Sequence, residues 1–217
     1  MRHGGKILVD QLKKLGVKRV FSVPGESFLP VLDGLFDSDI QNVVCRHEGG
    51  AAMMAEAMGK MTGQPGICFV TRGPGACNAS AGVHVAMQDS TPMILFVGQI
   101  DTRQRDRETF QEVDYRQMFG GLAKWVAEVD HTDRLPEYVA RAWRVAMAGR
   151  PGPVVIALPE NVLSDQADVP DFTGAVELPG SVDPVHFDRI LAKLRKAKRP
   201  LMVVGGSKWS ANAAKAL

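Results

Sequence analysis

The chain carries almost no surplus charge of either sign. In 217 residues, 26 Lys and Arg stand against 24 Asp and Glu, a formal net charge of +2. A balance this close offers no electrostatic footprint for nucleic acid or for an anionic membrane surface. Cysteine is also scarce: Cys45, Cys68 and Cys77 are widely spaced and form no C-x-x-C pair. They read as free thiols in a reducing compartment, not as a disulfide framework. Long apolar runs are missing. None approaches the ~18 residues of a membrane-spanning helix, and near the N-terminus "KILVDQL" is broken by Asp10, against a secretory leader. The expectation is a cytoplasmic protein without repeats or low-complexity tracts. With 45% hydrophobic and 23% charged residues, the chain has the composition of a globular protein and the length to bury a core without staples. It suits one large domain, or one domain and part of another.

What the sequence does contain is a rhythm. Short continuous apolar runs recur at "RVFSV" (19–23), "NVVC" (42–45), "ICFVT" (67–71), "MILFVG" (93–98) and "PVVIAL" (153–158). Continuous runs, unlike alternating ones, suit strands buried on both faces of a parallel sheet. Helical patterns lie around them. "GGKILVDQLKKLG" puts Ile7, Leu8, Leu12 and Leu15 on one face and ends at Gly16. "LPVLDGLFD", "GGAAMMAEAMGKMTG" and "GACNASAGVHVAMQDS" follow the first three strands, and "LPEYVARAWRVAMAG" precedes the fifth. The expected fold class is α/β, a doubly wound parallel sheet with helices on both faces.

Two stretches break the rhythm. The charge-dense "DTRQRDRETFQEVDYRQM" (101–118) reads as an exposed loop entering a short helix. Residues 164–184 hold Pro170, Pro179 and Pro184 with little apolar periodicity and read as an interdomain linker. The expected domains are therefore 1–163, the linker 164–184, and 185–217. In the last, "PVHFDRILAKLRKAKRPLMVVGGS" begins a further helix–strand–glycine unit of a truncated second domain, and the basic cluster Arg195–Arg199 reads as a solvated helix end.

In an open α/β sheet, ligands bind beyond the carboxyl ends of the strands. Four unusual stretches fall there: "VPGES", "RHEGG", "TRGPGACN" and "GQIDTRQRDRETFQE". Gly73 and Gly75 allow close approach of a ligand, and Pro74 stiffens the turn. The stretch lacks the lysine of a phosphate-binding loop and the spacing of a dinucleotide fingerprint, so locally it reads equally as a tight strand-to-helix turn. Glu48 stands where a helix begins. There the macrodipole favours a carboxylate, so the acid either stabilises its own helix or faces a ligand. Gly49, Gly50, Ala51, Ala52 and Ala55 permit close packing, and Met53, Met54, Met58 and Met61 are expected as a soft apolar wall or as core.

Taken in order, "VFSVPGE", "RHEGGAAMMAEA", "TRGPGACNASAGVHVAMQDSTPMILFVGQ", "FQE" and "GPVVIALPENV" resemble the N-terminal, pyrimidine-binding domain of thiamine diphosphate enzymes of the acetolactate synthase, pyruvate oxidase and glyoxylate carboligase type. The resemblance runs to about Val162, and "RPLMVVGGS" resembles the opening of that family's central domain. It implies a thiamine diphosphate-binding fold and an enzyme acting on a 2-keto acid, an acetolactate synthase-like carboligase (transferase or lyase). An oxidase or decarboxylase on the same scaffold is the alternative, and a non-catalytic nucleotide-binding α/β domain or an assembly role is the reading from a different class.

By the same resemblance Glu48 hydrogen-bonds N1′ of the cofactor's aminopyrimidine, which shifts the 4′-amino group toward its imino form so that it can take the proton from thiazolium C2. Val23, Pro24 and Gly25 lie against the pyrimidine. Thr71, Gly73, Pro74 and Asn78 shape the same pocket, and Phe110 and Gln111 face the thiazolium and substrate. Glu48 and Gln111 are thus the expected catalytic residues, while His47 stands between a site neighbour and a structural role. The resemblance assigns the diphosphate and its Mg²⁺ to a C-terminal domain with a GDG motif. No GDG occurs in this chain, so it is expected to hold half a site, to be inactive alone and to bind no metal itself. FAD is left undecided. The small-faced helices around 49–62 and 75–90 are expected to pair across a homodimer or tetramer, with no nucleic acid and no membrane as partner.

Overall fold

The computed structural model describes residues 1–172, 181–206 and 209–217. The chain divides into two units, Met1–Ala175 and Val176–Leu217. In the first, the elements run β1 (Arg2–His3), α1 (Gly4–Lys14), β2 (Arg19–Ser22), α2 (Leu29–Phe36), β3 (Gln41–Val44), α3 (Glu48–Thr62), β4 (Gly66–Val70), α4 (Pro74–Asp89), β5 (Met93–Gln99), α5 (Tyr115–Phe119), β6 (Trp125–Glu128), α6 (Leu135–Met147), β7 (Pro153–Pro159), α7 (Glu160–Ser164) and β8 (Gln166–Ala167).

Six of these strands form one sheet in the order β3-β2-β4-β5-β7-β6, every neighbouring pair parallel. The order explains the two-sided helix cover. From β2 the chain steps outward to β3 and then returns across β2 to β4; right-handed crossovers therefore put α2 on one face and α3 on the other. A second reversal, β5 to β6 and back to β7, does the same for α6. The expected doubly wound parallel sheet is the observed fold.

Strand residues sort by parity. On the face covered by α1, α2, α6 and α7, Ile94, Phe96 and Ile156 join Phe28 and Phe69. Phe28, Phe69 and Phe96 stack in series, with ring centroids 6.0 Å and 4.9 Å apart. On the other face, Cys68, Val70, Leu95 and Val97 meet the alanines of α3 and α4. α1 shows how a sequence pattern becomes packing. His3 Nδ1 accepts the Lys6 N–H at the helix start, Ile7, Leu8 and Leu12 are fully buried, and Gly16 closes the helix in the left-handed region at φ 83°.

The structure departs from the sequence expectations in particular places. β6 (WVAE) was not expected. It is a four-residue edge strand whose register on β7 runs from Trp125–Val154 to Glu128–Ala157; its ends are half-exposed and one is charged, so it carries no buried-strand signature. The two-residue ladder β1–β8 is too short to leave a pattern. Within the segment 164–184 expected as linker, the described part up to Phe172 runs back along α1. Arg2 Nη2 donates to the Val169 carbonyl at 2.6 Å, Arg2 pairs with Asp171, and Gln11 exchanges two hydrogen bonds with the Phe172 backbone. Residues 173–180 of that segment lie outside the described residues.

In the second unit, α8 (Pro184–Lys196) is N-capped by Asp183, and α9 (Ala211–Ala216) by Ser210. The cluster 195–199 is exposed at and beyond the end of α8, as expected of a solvated helix end. The expected strand in "RPLMVVGGS" is not formed among the described residues 199–206. A strand is defined by its ladder, and no described strand of that unit offers one.

Candidate functional site

The carboxyl ends of β2 and β4 lie side by side, while the chain leaves them for opposite faces of the sheet. This is the topological switch point, where an open parallel sheet leaves a crevice. Three turns border it, at Val23–Gly25, Cys45–His47 and Thr71–Gly73, and the long loop after β5 lies beside them.

Glu48 is the first residue of α3. His47 is the N-cap, its Nδ1 accepting the Gly49 N–H at 3.0 Å, which gives that histidine a structural contact at the helix start. Across the crevice Asn78, in the second turn of α4, donates Nδ2–H to Glu48 Oε2 at 2.9 Å. The other carboxylate oxygen, Oε1, lies 3.5 Å from where a Cβ on Gly75 would stand. The acid is thus fixed through one oxygen, with the other directed along a glycine edge. The residue is half-buried and Asn78 exposed, so the crevice is open to water in this chain.

The helices that carry Glu48 and Asn78 are locked together by small residues. A Cβ on Gly82 would stand 2.5 Å from Ala52 Cβ, and one on Gly49 3.1 Å from the Asn78 carbonyl oxygen. α3 also lies directly on the sheet, since a Cβ on Gly66 would strike the Ala55 carbonyl at 1.8 Å. The expectation of core positions for the methionines is corrected here. Ala51, Ala52, Ala55 and Gly59 of α3 and Gly75, Ala76, Ala79, Gly82 and Ala86 of α4 are the small buried residues of this contact. Met53, Met54 and Met61 are exposed, and Met58 is partly buried on the sheet side. α3 turns its alanine stripe to the core, and Met53, Met54 and Met61 fall on its outer faces.

The remaining turns interlock. Gly25 has no Cβ because Thr71 Cβ would be 2.5 Å away. Thr71 Oγ1 shares a 2.9 Å hydrogen bond with Ser27 Oγ, and Ser27 fits only because Gly98 leaves its own side-chain space empty. Gly73, the N-cap of α4, adopts φ 55°, ψ −111°. Its N–H donates to the Tyr115 hydroxyl at 2.9 Å, and Gln111 Cβ lies 2.9 Å from where a Gly73 Cβ would stand. In the loop after β5, Asp106, Glu108 and Gln111 all have positive φ, strained for residues with a side chain. The Glu112 carboxylate holds the loop by accepting the N–H groups of Asp106 and Thr109 at 2.8 and 3.2 Å. At the crest Phe110 is 77% exposed.

Of the residues singled out in the sequence, the structure joins Glu48 to Asn78, Gly25 to Thr71, and Gly73 to Gln111. Val23 is tied to β4, its N–H donating to Phe69 O at 3.3 Å. Pro24, Pro74 and Phe110 are exposed and take no part in these pairs. Sequence reasoning missed Ser27, Gly98, Tyr115 and the ion pair of Arg72 with Glu160, which ties the end of β4 to the start of α7. Arg72 Nε is buried without a hydrogen-bond partner among the described residues. Ser27 lies in the quoted "VPGES" and was within reach; Tyr115 carries no local signal, because its partner is 42 residues away.

Elsewhere the thiols are free. Burial raises the Cys68 thiol far above its ordinary range and raises Cys45 less. Burial also pushes the Tyr115 phenol up to about 12, against a smaller opposing effect of its hydrogen bond with Gly73. Among the described residues no group of three His, Cys, Asp or Glu is placed to hold a metal ion, and no helix is long and apolar enough to cross a membrane.

Residues 2–118 match the family described as thiamine pyrophosphate enzyme, N-terminal TPP binding domain, thiamine pyrophosphate being the same compound as thiamine diphosphate. The chain is similar to the acetolactate synthase isozyme 2 large subunit of Escherichia coli, 34% identical over 215 residues that cover 99% of this chain and 39% of that protein. It is 33% identical to a probable acetolactate synthase large subunit of Methanocaldococcus jannaschii over 94% of this chain and 36% of that one. An acetolactate synthase of Bacillus subtilis is 34% identical, with the same coverage. The chain thus spans well under half the length of these curated relatives.

Proposed function

The chain belongs to the thiamine pyrophosphate enzymes, whose N-terminal TPP-binding domain it matches, and from that premise we propose that it is the pyrimidine-binding part of an enzyme acting on a 2-keto acid, an acetolactate synthase-like carboligase. The observation that carries the reading is the Glu48 carboxylate, held by Asn78 through Oε2 with Oε1 directed along the Gly75 edge.

The residues fit an aminopyrimidine. A flat ring with a protonatable nitrogen needs an acid at its edge and closely packed turns around it, and the missing side chains of Gly25, Gly73 and Gly75 let Thr71 and Gln111 close up against those turns beside Glu48. Thiamine diphosphate, when bound, supplies the electron sink on which a 2-keto acid can lose its carboxyl group. In this reading Glu48 holds a proton at the ring nitrogen, and Asn78 fixes the carboxylate's orientation so that one oxygen is kept for that task. Thr71, steadied by Ser27, and the Val23–Gly25 turn form the wall of the pocket, while Gln111 and the exposed Phe110 stand on the side from which substrate approaches.

The reading leaves the diphosphate, its Mg²⁺ and any FAD to a further part of the whole protein, in keeping with the 36–39% of the relatives that this chain spans. It takes a second copy as the partner that covers the outer face of α3 with its exposed Met53, Met54 and Met61, giving a dimer or tetramer, and it takes the cytoplasm as the site of action. The test uses the full protein that contains this chain. Glu48→Gln and Glu48→Ala are compared with the parent for deuterium exchange at C2 of bound thiamine diphosphate, followed by NMR. A general acid–base contribution of this kind is worth about 10²–10⁴-fold, and an exchange rate unchanged in both variants refutes the role of Glu48. A panel of 2-keto acids then fixes the substrate.

A further inference from the structure

The start of α4 has no side chain of its own to cap it. Pro74 offers no N–H, and the Gly75 N–H reaches only the Arg72 carbonyl at 3.4 Å. The Gly73 N–H is instead taken by a phenol from a distant element. Tyr115 is 2% exposed, the first residue of α5, and its position is set from two sides. Asp114 caps that helix by accepting the N–H groups of Arg116 and Gln117 at 2.9 and 3.1 Å. The Tyr115 ring packs against Phe119, with centroids 6.3 Å apart. A phenol is neutral at physiological pH, so its oxygen is available as an uncharged acceptor.

Gly73 is gripped from a second direction as well. Gln111, four residues before Tyr115 and in the left-handed region at φ 66°, presses its Cβ and backbone into the space where a Gly73 side chain would be. Between the two, the Val113 carbonyl is held by Gln99 Nε2 at 2.9 Å, which anchors the connecting chain to the end of β5. The glycine turn and the Gln111 loop are therefore a single mechanical unit. The Tyr115 hydroxyl and Gln111 thus meet Gly73 from two directions.

We propose that Tyr115 is a positioning residue for the cofactor site: its hydroxyl holds the Gly73 amide, which sets where the Gly73–Gly75 backbone and Gln111 meet the bound ring. The inference rests on the function proposed above. Tyr115 touches neither cofactor nor substrate; it acts through Gly73.

The test is Tyr115→Phe, which deletes one oxygen and keeps the ring. In this chain, amide hydrogen exchange followed by NMR reports on the contact without any ligand. The Gly73 amide is expected to exchange about tenfold faster or more, as for a buried donor left without its acceptor, while Val70 and Phe96 amides in the sheet stay unchanged and show that the fold is kept. Fluorination of the Tyr115 ring, which weakens the hydroxyl as an acceptor without removing it, gives an intermediate rate. In the full protein, half-saturation by thiamine diphosphate is expected to rise about tenfold while kcat at saturating cofactor changes much less. A Gly73 amide that exchanges as before overturns the proposal, and so does faster exchange with unaltered cofactor dependence. A parent protein with no response to thiamine diphosphate overturns instead the function on which this rests, and the Gly73 exchange result remains readable by itself.

Discussion

Replacing Gly82 by Ala tests how the candidate site is built, because the close contact of α3 with α4 lies one helical turn below the Glu48–Asn78 hydrogen bond. Ala52 follows Glu48 by four residues, and Gly82 follows Asn78 by four, so each pair shares a helix face. A methyl group on Gly82 would lie 2.5 Å from Ala52 Cβ, 2.8 Å from the Ala52 carbonyl carbon and 3.1 Å from the Met53 nitrogen. Carbon atoms settle at ~3.5–4.0 Å, so the helices must separate by about 1 Å. Two of the three obstructing atoms are backbone, which cannot rotate away, and this sets the clash near the upper end of the ~1–3 kcal/mol range for overpacking. Against it stands about 1 kcal/mol gained when Ala replaces Gly inside a helix. The net loss is about 2 kcal/mol, or about 4–8 °C in Tm for a unit of this size. Gly50→Ala is the control. It lies in α3 with nothing within 4 Å of the added methyl, so only the helix gain of about 0.5–1 kcal/mol remains and Tm should rise. Thermal unfolding followed by circular dichroism measures both. A separation of about 1 Å would also stretch the 2.9 Å Asn78–Glu48 bond beyond hydrogen-bonding range, visible as a change in the Asn78 side-chain amide signals. If Gly82→Ala is as stable as the parent, or as stabilising as Gly50→Ala, the account of the helix pair is wrong. The double variant Ala52→Gly with Gly82→Ala should recover part of the loss.

Three further outcomes are expected. Phe28→Ala removes the outer ring of the Phe28–Phe69–Phe96 stack and should cost about 3–5 kcal/mol in denaturant unfolding. Thiol titration with a disulfide reagent should find Cys77, which is exposed, reacting first, the partly buried Cys45 slowly, and Cys68 only after unfolding; prompt reaction of all three would contradict the packing of β4. The Tyr115 phenol is raised by burial to about 12 from an unfolded value of 10.0. Its contribution is therefore fully present below pH 10 and lost as pH rises from 10 to 12, where the unfolded chain ionises and the folded one does not. At about 1.4 kcal/mol per unit this is roughly 2–3 kcal/mol of alkaline sensitivity, and Tyr115→Phe should flatten the parent's stability profile over that interval.

Much of this protein could be read along the chain. Unbroken apolar runs such as "MILFVG" mark strands covered on both faces, and the helical patterns between them require a parallel, doubly wound sheet. Local chemistry also located the turns that border the crevice, because Gly25, Gly73 and Gly75 and the acid at Glu48 are conspicuous in a strand-to-helix boundary. The order of those turns carried the family resemblance that residues 2–118 bear out.

Other features are invisible to local pattern. β6 is a half-exposed edge strand, and its identity depends on β7 being beside it. The methionines of α3 read as core or as an apolar wall, and packing instead put alanine and glycine in the interior and Met53, Met54 and Met61 outside. The Gly73–Tyr115 bond joins residues 42 apart, and no periodicity encodes so distant a pairing. Patterning records which residues shun water and where backbone must bend, since both are properties of neighbours in sequence. Which side chain meets which across the crevice is decided by sheet order and helix register, and those exist only once the whole chain has closed around its core.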